Sequence, residues 1–374
     1  MDWLEQCGRC GAFKVLSPTL GYCAECLRNH FEELWPRVSH LHRVSREQFG
    51  LPAFPPNSRG GLRCGRCHHL CRPAEGERGW CGARWAEGGR LRGGGPEGAK
   101  ATYYFDPLPT NCVAEWVCAA SGHGYPAWSH EPGPEYGWKN LAVFYQSCTF
   151  NCLFCQNWHF KEMAQRTKAL SAAELAAQVR HDTACICFFG GDPTPQLPHA
   201  LECARLAREA RPGQILRICF ETSGAMSARL RDQMAEMALC SGGCIKFDLK
   251  AWSEPLHLAL TGVSRRRTLE NFAGLARLAP ERQGKERRGL PLLVASTLLV
   301  PGYVDEEEVS RLAAFIAALD PDIPYSLLGF SPHFYLHDLP QTSRPHAERC
   351  LAAAQAAGLR NVRLANLHLL GEDY

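Results

Sequence analysis

No apolar run in this chain of 374 residues approaches the length of a membrane span, so neither a transmembrane helix nor a membrane partner is expected. The opening Met1-Asp-Trp-Leu-Glu-Gln-Cys7 lacks the basic n-region and apolar core of a signal peptide, which points to a soluble cytoplasmic protein. Excess charge is also scarce. Lysine and arginine number 41 against 38 aspartates and glutamates, a formal net of +3 that does not call for nucleic acid. Cysteine, by contrast, is abundant. There are 20, most of them in short-spaced groups, and in a reducing compartment such groups read as metal ligands rather than disulfides. The length suggests two or three domains.

Residues 1–45 read as a zinc-ribbon-like module. Cys7-x₂-Cys10 and Cys23-x₂-Cys26 are two knuckles, with Gly8, Gly11 and Gly21 for the tight turns. Four soft thiolates suit tetrahedral zinc, with a rubredoxin-like iron site as the alternative, and so short a segment needs the metal to fold. Phe31, Leu34, Trp35, Val38 and Leu41 predict a helix interrupted at Pro36. Residues 46–138 read as a linker and a second cysteine-rich module. Cys64-x₂-Cys67-x₃-Cys71-x₉-Cys81 is a closed four-ligand set; zinc is preferred over an auxiliary iron–sulfur cluster because the spacing is no ferredoxin run. Cys112 and Cys118 beyond it are extra ligands, a redox pair or buried free thiols.

From 139 to 374 the pattern alternates. Strands are expected at 141–147, 185–189, 215–221, 244–249, 292–300 and 324–330, with amphipathic helices between them; Ser171 and Glu174 form a capping box. This is an α/β fold with a parallel sheet, and its sites collect at the C-terminal strand ends. No internal repeat is visible beyond that rhythm. The first strand runs into Ser147-Cys-Thr-Phe-Asn-Cys-Leu-Phe-Cys-Gln-Asn-Trp158. Cys148, Cys152 and Cys155 bring three thiolates onto one loop with no fourth cysteine close by. A structural zinc site wants four ligands, whereas a [4Fe–4S] cluster on three leaves one iron open. Phe154 and Trp158 are placed to wall such a centre from water.

That run resembles the radical S-adenosylmethionine (SAM) superfamily. The resemblance implies a partial (β/α)₆ barrel preceded by small metal-binding modules. It also implies a [4Fe–4S] cluster on Cys148, Cys152 and Cys155 whose open iron chelates SAM and, once reduced, splits it to a 5′-deoxyadenosyl radical. Phe189-Gly-Gly-Asp-Pro-Thr194, Glu221-Thr-Ser-Gly224, Lys246-Phe-Asp-Leu-Lys250 and Leu298-Leu-Val-Pro-Gly302 then resemble the family's strand-end motifs, and imply that Gly190, Gly191, Asp192, Thr222, Ser223, Asp248, Lys250 and Val300 bind SAM. Together they are similar to the pyruvate formate-lyase activating enzyme branch. The run from Cys64 to Arg84 resembles the segment preceding the barrel in the AmmeMemoRadiSam-system enzymes. Two departures stand out: the first cluster cysteine lies in Ser147-Cys148-Thr149 rather than Gly-Cys-Asn, and Ser331 takes the place of a histidine, with His333 as a substitute.

The expected function is therefore reductive SAM cleavage and hydrogen abstraction from a macromolecule. The electron comes from a one-electron donor such as flavodoxin or ferredoxin, and the substrate is a protein, a peptide or an RNA. A non-enzymatic electron carrier or zinc-ribbon scaffold would explain the cysteines but not the strand-end motifs.

Overall fold

A computed structural model describes residues 3–110, 112–282, 287, 289–372 and 374. The chain opens with a hairpin of β1 (Leu4–Gln6) and β2 (Phe13–Val15), followed by α1 (Ala24–Asn29) and α2 (Phe31–Glu47). Contrary to the expectation from its sequence, Pro36 does not interrupt α2. The missing N–H frees only the Glu32 carbonyl one turn back, and both residues are exposed, so water serves that carbonyl. A second hairpin, β3 (Trp85–Glu87) and β4 (Arg90–Arg92), precedes the long strand β5 (Ala99–Pro107).

The alternating part follows: β6 (Lys139–Tyr145), α3 (Phe160–Arg166), β7 (Ala169–Leu170), α4 (Ala172–Ala176), β8 (Thr183–Gly190), α5 (Leu197–Glu209), β9 (Arg217–Thr222), α6 (Ala228–Leu239) and β10 (Ile245–Asp248). After these come α7 (Glu254–Thr261), α8 (Arg266–Arg282), β11 (Leu293–Leu299), α9 (Glu306–Leu319), β12 (Tyr325–Gly329), α10 (Arg344–Ala356) and β13 (Val362–Ala365). One sheet runs β13-β12-β11-β10-β9-β8-β6-β5-β7. The six expected strands are present as β6, β8, β9, β10, β11 and β12, parallel throughout, and β13 adds a seventh at the edge. β5, drawn from the segment before residue 139, pairs antiparallel with β6. The capping box at Ser171 and Glu174 starts α4, and the Asp305 side chain caps α9.

Strand alternation sorts the side chains. Ile186, Phe188, Ile218, Phe220, Ile245 and Phe247 enter one core with Ala200 and Cys203 of α5 and Met234 and Ala235 of α6. The residues between them, among them Cys187, Cys219 and Lys246, take the opposite, inner face.

The N-terminal ribbon belongs to the same core: Cys7, Leu16, Leu27, Leu34 and Val38 are buried within it. Arg28 pairs with Asp305 at 2.9 Å and Glu308 at 3.0 Å. A β-carbon on Gly302 would lie 1.9 Å from the Val15 carbonyl oxygen, so the turn after β11 and strand β2 meet backbone to backbone.

Candidate active site

The loop after β6 is held by the end of a helix. The last carbonyls of a helix have no partner within it. In α7 those of Leu260 and Thr261 accept the backbone N–H groups of Leu153 and Asn151, both at 2.9 Å. The next, Ala259, bonds the His42 Nε2 of α2 at 3.0 Å. His42 Nδ1 then takes the Asn151 side-chain amide at 3.1 Å, so the imidazole is satisfied only when neutral. Burial lowers its pKa to about 4, the positive charges of Lys161 and Arg46 pushing the same way. Asn151 also bonds Ser45 at 2.8 Å and the Lys161 ammonium at 2.5 Å.

This bracing points Cys148, Cys152 and Cys155 into one cavity of about 220 Å³, shared with Gly190, Gly191, Thr222, Ser223, Asp248 and Lys250. Six of the eight residues expected to contact SAM thus line the same space as the cluster cysteines. Phe154, Phe160, Leu298 and Leu328 supply apolar wall, while Trp158 stacks outside on Phe334. Lys250 donates to Asp248 at 2.8 Å, and the other Asp248 oxygen accepts the Ser296 hydroxyl at 2.9 Å. Burial would lower the Lys250 ammonium, but Asp248 and the Cys152 thiolate outweigh it and its pKa is raised. Burial pushes the Cys152 thiol up to about 12, and lowers Lys161 to about 8. Thiolates form in such a pocket only against a positive centre. Three thiols, two ammonium groups and an apolar wall fit a three-cysteine iron–sulfur cluster with room beside it.

The other two expected residues lie elsewhere. Asp192 does not line the cavity; it is 2% exposed and fully engaged. Its carboxylate accepts the hydroxyls of Thr149 (2.7 Å), Ser223 (3.0 Å), Thr222 (2.7 Å) and Thr194 (3.1 Å), together with the Thr194 amide. It ties the cluster loop to the end of β9. Val300 is wholly buried in the core, and Leu298 faces the cavity in its place. Ser331 and His333 are likewise absent from the lining among the described residues. The glycines, too, serve the chain itself: a β-carbon on Gly190 would lie 2.5 Å from the Tyr145 nitrogen, and one on Gly191 2.3 Å from the Ser147 oxygen.

Eight of the cysteines outside the cavity form two further sets. The ligand atoms of Cys7, Cys10, Cys23 and Cys26 all lie within 4.8 Å of one another, as a single tetrahedral ion requires. Cys64, Cys67, Cys71 and Cys81 sit against the cluster loop. Trp80 Nε1 (3.0 Å) and His69 Nε2 (2.7 Å) both reach the Thr149 carbonyl, and Cys64, Cys71, Cys148 and Cys152 meet around Trp80 and Phe150. Arg46 stacks 3.3 Å over Trp80 and donates to its carbonyl.

Sequence reasoning missed the inner-face cysteines. Cys185-Ile-Cys187-Phe, Ile218-Cys219-Phe-Glu221 and Cys244-Ile-Lys246-Phe-Asp248 alternate polar or thiol with apolar on three successive strands, and that period of two was the available signal.

Residues 142–316 match the Radical SAM superfamily. The isethionate sulfite-lyase activating enzyme of Desulfovibrio desulfuricans is 34% identical over 143 residues, 38% of this chain and 40% of that protein. A protein of Methanocaldococcus jannaschii named as a glycyl-radical enzyme activating enzyme is 24% identical over 222 residues, 58% of this chain and 76% of its own. A domain of pyruvate-formate lyase-activating enzyme from Bacteroides vulgatus aligns at 19% identity with a TM-score of 0.36, over 48% of this chain and 98% of that domain. The alignment with the first of these relatives thus spans well under half of that protein's length.

Proposed function

We propose, from the match of residues 142–316 to the Radical SAM superfamily, that the protein cleaves SAM reductively and abstracts hydrogen from a macromolecular partner, as an activating enzyme does. The observation that carries the reading is the convergence of Cys148, Cys152 and Cys155 with Gly190, Gly191, Thr222, Ser223, Asp248 and Lys250 around one cavity. The family implies a [4Fe–4S] cluster and SAM, which when bound supply a 5′-deoxyadenosyl radical.

The chain's own groups then divide the work. Cys148, Cys152 and Cys155 hold the cluster. Asp248 and Lys250, already paired, present a carboxylate and an ammonium to SAM's hydroxyl and carboxylate groups. Thr222, Ser223 and the backbone of Gly190 and Gly191 line the approach, and Leu298 with Leu328 makes an apolar wall against water. Asp192 acts by position, fixing Thr149 of the loop to β9.

The activating-enzyme reading of the substrate is supported by the names of both curated relatives, which activate other enzymes. We assign zinc to the Cys7, Cys10, Cys23 and Cys26 tetrad, whose closeness suits one ion. Cys64, Cys67, Cys71 and Cys81 form a second, closed metal site bracing residues 46–138 against the cluster loop. Zinc, as their spacing suggests, or an auxiliary iron–sulfur cluster would fill that site.

The test is direct. Anaerobically reconstituted, dithionite-reduced protein should produce 5′-deoxyadenosine from SAM, and the Cys148→Ala, Cys152→Ala, Cys155→Ala variant should produce none. Equal product from both sinks the reading. Purification with bound partner and mass spectrometry then separates a protein from a peptide or an RNA substrate.

A further inference from the structure

The inner face of the sheet holds another cavity, about 120 Å³, adjoining the first: Phe189 and Glu221 line both. Six cysteines line it. Cys112 and Cys118 come from the segment between β5 and β6, Cys185 and Cys187 from β8, Cys219 from β9, and Cys244 from the residue before β10. Three of them occupy one rung across adjacent parallel strands. Cys187 pairs with Cys219 in register, and the pairing of Ile245 with Phe220 places Cys244 beside Cys219, their sulfurs 4.0 Å apart. The next rung pairs Lys246 with Glu221. The Lys246 ammonium, 2% exposed, lies 2.9 Å from the Glu221 carboxylate, 3.0 Å from the Cys187 sulfur and 3.2 Å from the Cys112 sulfur.

Buried free thiols are common and pack as small apolar groups. The Lys246 ammonium aimed at two of them is neutralised by the Glu221 carboxylate at 2.9 Å, and it gives those two sulfurs a positive neighbour that apolar packing does not require. Glu221 supplies one negative charge and is a third exposed on its side chain; the sulfurs face the ammonium from within. The six thiols also separate by what they bond. Cys185 donates to the Asn140 side-chain oxygen at 3.3 Å and Cys118 to the Glu115 carbonyl at 3.6 Å, as protonated thiols do. Cys112 and Cys187 accept from the Lys246 ammonium, while Cys112 also donates to the Glu221 carboxylate at 3.7 Å and Cys244 donates to the Cys219 sulfur at 4.0 Å.

We propose that Cys112, Cys187, Cys219 and Cys244 ligate an auxiliary iron–sulfur cluster on the inner face of the sheet, with Lys246 balancing its negative charge. A zinc ion, with Zn–S near 2.3 Å, would hold its sulfurs about 3.8 Å apart, close to the 4.0 Å between Cys219 and Cys244, so zinc is the rival occupant that the metal count below separates. The cavity these residues line is about 120 Å³. Through Phe189 and Glu221 the centre would border the space where SAM is proposed to bind, yet the site stands whether or not SAM is cleaved.

Iron, zinc and acid-labile sulfide are counted in the full-length protein after anaerobic reconstitution, in wild type and in Cys187→Ser and Cys219→Ser separately. Each variant should lose about four irons with matching sulfide, while the EPR signal of the reduced loop cluster still changes on adding SAM, which reports an intact fold. Iron unchanged in both variants overturns the proposal, and so does zinc in place of the lost iron. A second count needs no substitution on the inner face. Wild-type iron, less the losses measured in a variant lacking Cys148, Cys152 and Cys155 and in one lacking Cys64, Cys67, Cys71 and Cys81, should leave about four; a remainder of zero overturns the assignment.

Discussion

Asp192 and Lys250 both stand at strand ends, and their surroundings give them different work. The Asp192 carboxylate is filled by four hydroxyls and an amide, so Asp192→Ala should leave the cavity wall intact but free the cluster loop. The expected result is faster loss of iron to a chelator with a smaller change in SAM affinity. Lys250 lines the cavity, and Lys250→Ala should weaken SAM binding by about 1.5–3 kcal/mol, roughly ten- to a hundredfold, with the cluster still assembled. Isothermal titration of the reconstituted variants separates the two roles. His42 and His257 add a pH dependence. Burial depresses their folded-state pKa values from 6.5 to about 4 and about 3. The unfolded chain therefore binds more protons in that range, and stability is lost as pH falls from about 6.5 toward 4. The loss approaches roughly 3 kcal/mol per histidine at pH 4. Denaturant unfolding of wild type and His42→Gln across this range should show a flatter slope in the variant.

Between elements, the cluster loop depends on two helices far apart in sequence. The C-terminal carbonyls of α7 take its backbone, and α2 takes the Asn151 side chain. Asn151→Ala removes the tie to α2 and leaves Lys161 without its amide partner, so the loop cluster should be released to a chelator several times faster at unchanged secondary structure, followed by loss of the iron–sulfur absorbance. Gly191→Ala is the sharper case. Its new methyl group would sit against the Ser147 carbonyl, and the chain should fail to assemble the loop cluster while the zinc proposed for the N-terminal tetrad remains bound. Elements of this kind were legible where a local rule dictates them: the capping box at Ser171, the short apolar runs of β8 and β9, the three-cysteine spacing. Pro36 within α2 was not, because its tolerance depends on which side of the helix faces water.

For the molecule as a whole, the ribbon's composition suggested a unit that folds on its own metal, and the structure builds its cysteines into the main core. Cys26→Ala should therefore abolish zinc binding by the tetrad and also lower the melting temperature of the entire chain, because Leu27, Leu34 and Val38 lose their anchorage beside α7. Differential scanning calorimetry with zinc analysis checks it; an unshifted main transition would show the ribbon to be independent. The sequence by itself determined the parallel α/β order, the three-thiolate loop and the closed tetrad of the ribbon, since each rests on spacing along a few residues. Tertiary structure alone decided that Asp192 braces while Lys250 faces the cavity, that Leu298 rather than Val300 reaches it, and that Cys112, Cys187, Cys219 and Cys244 meet. Those outcomes depend on sheet register and on which neighbour arrives first at a polar atom, and both are set by contacts between residues tens to hundreds of positions apart.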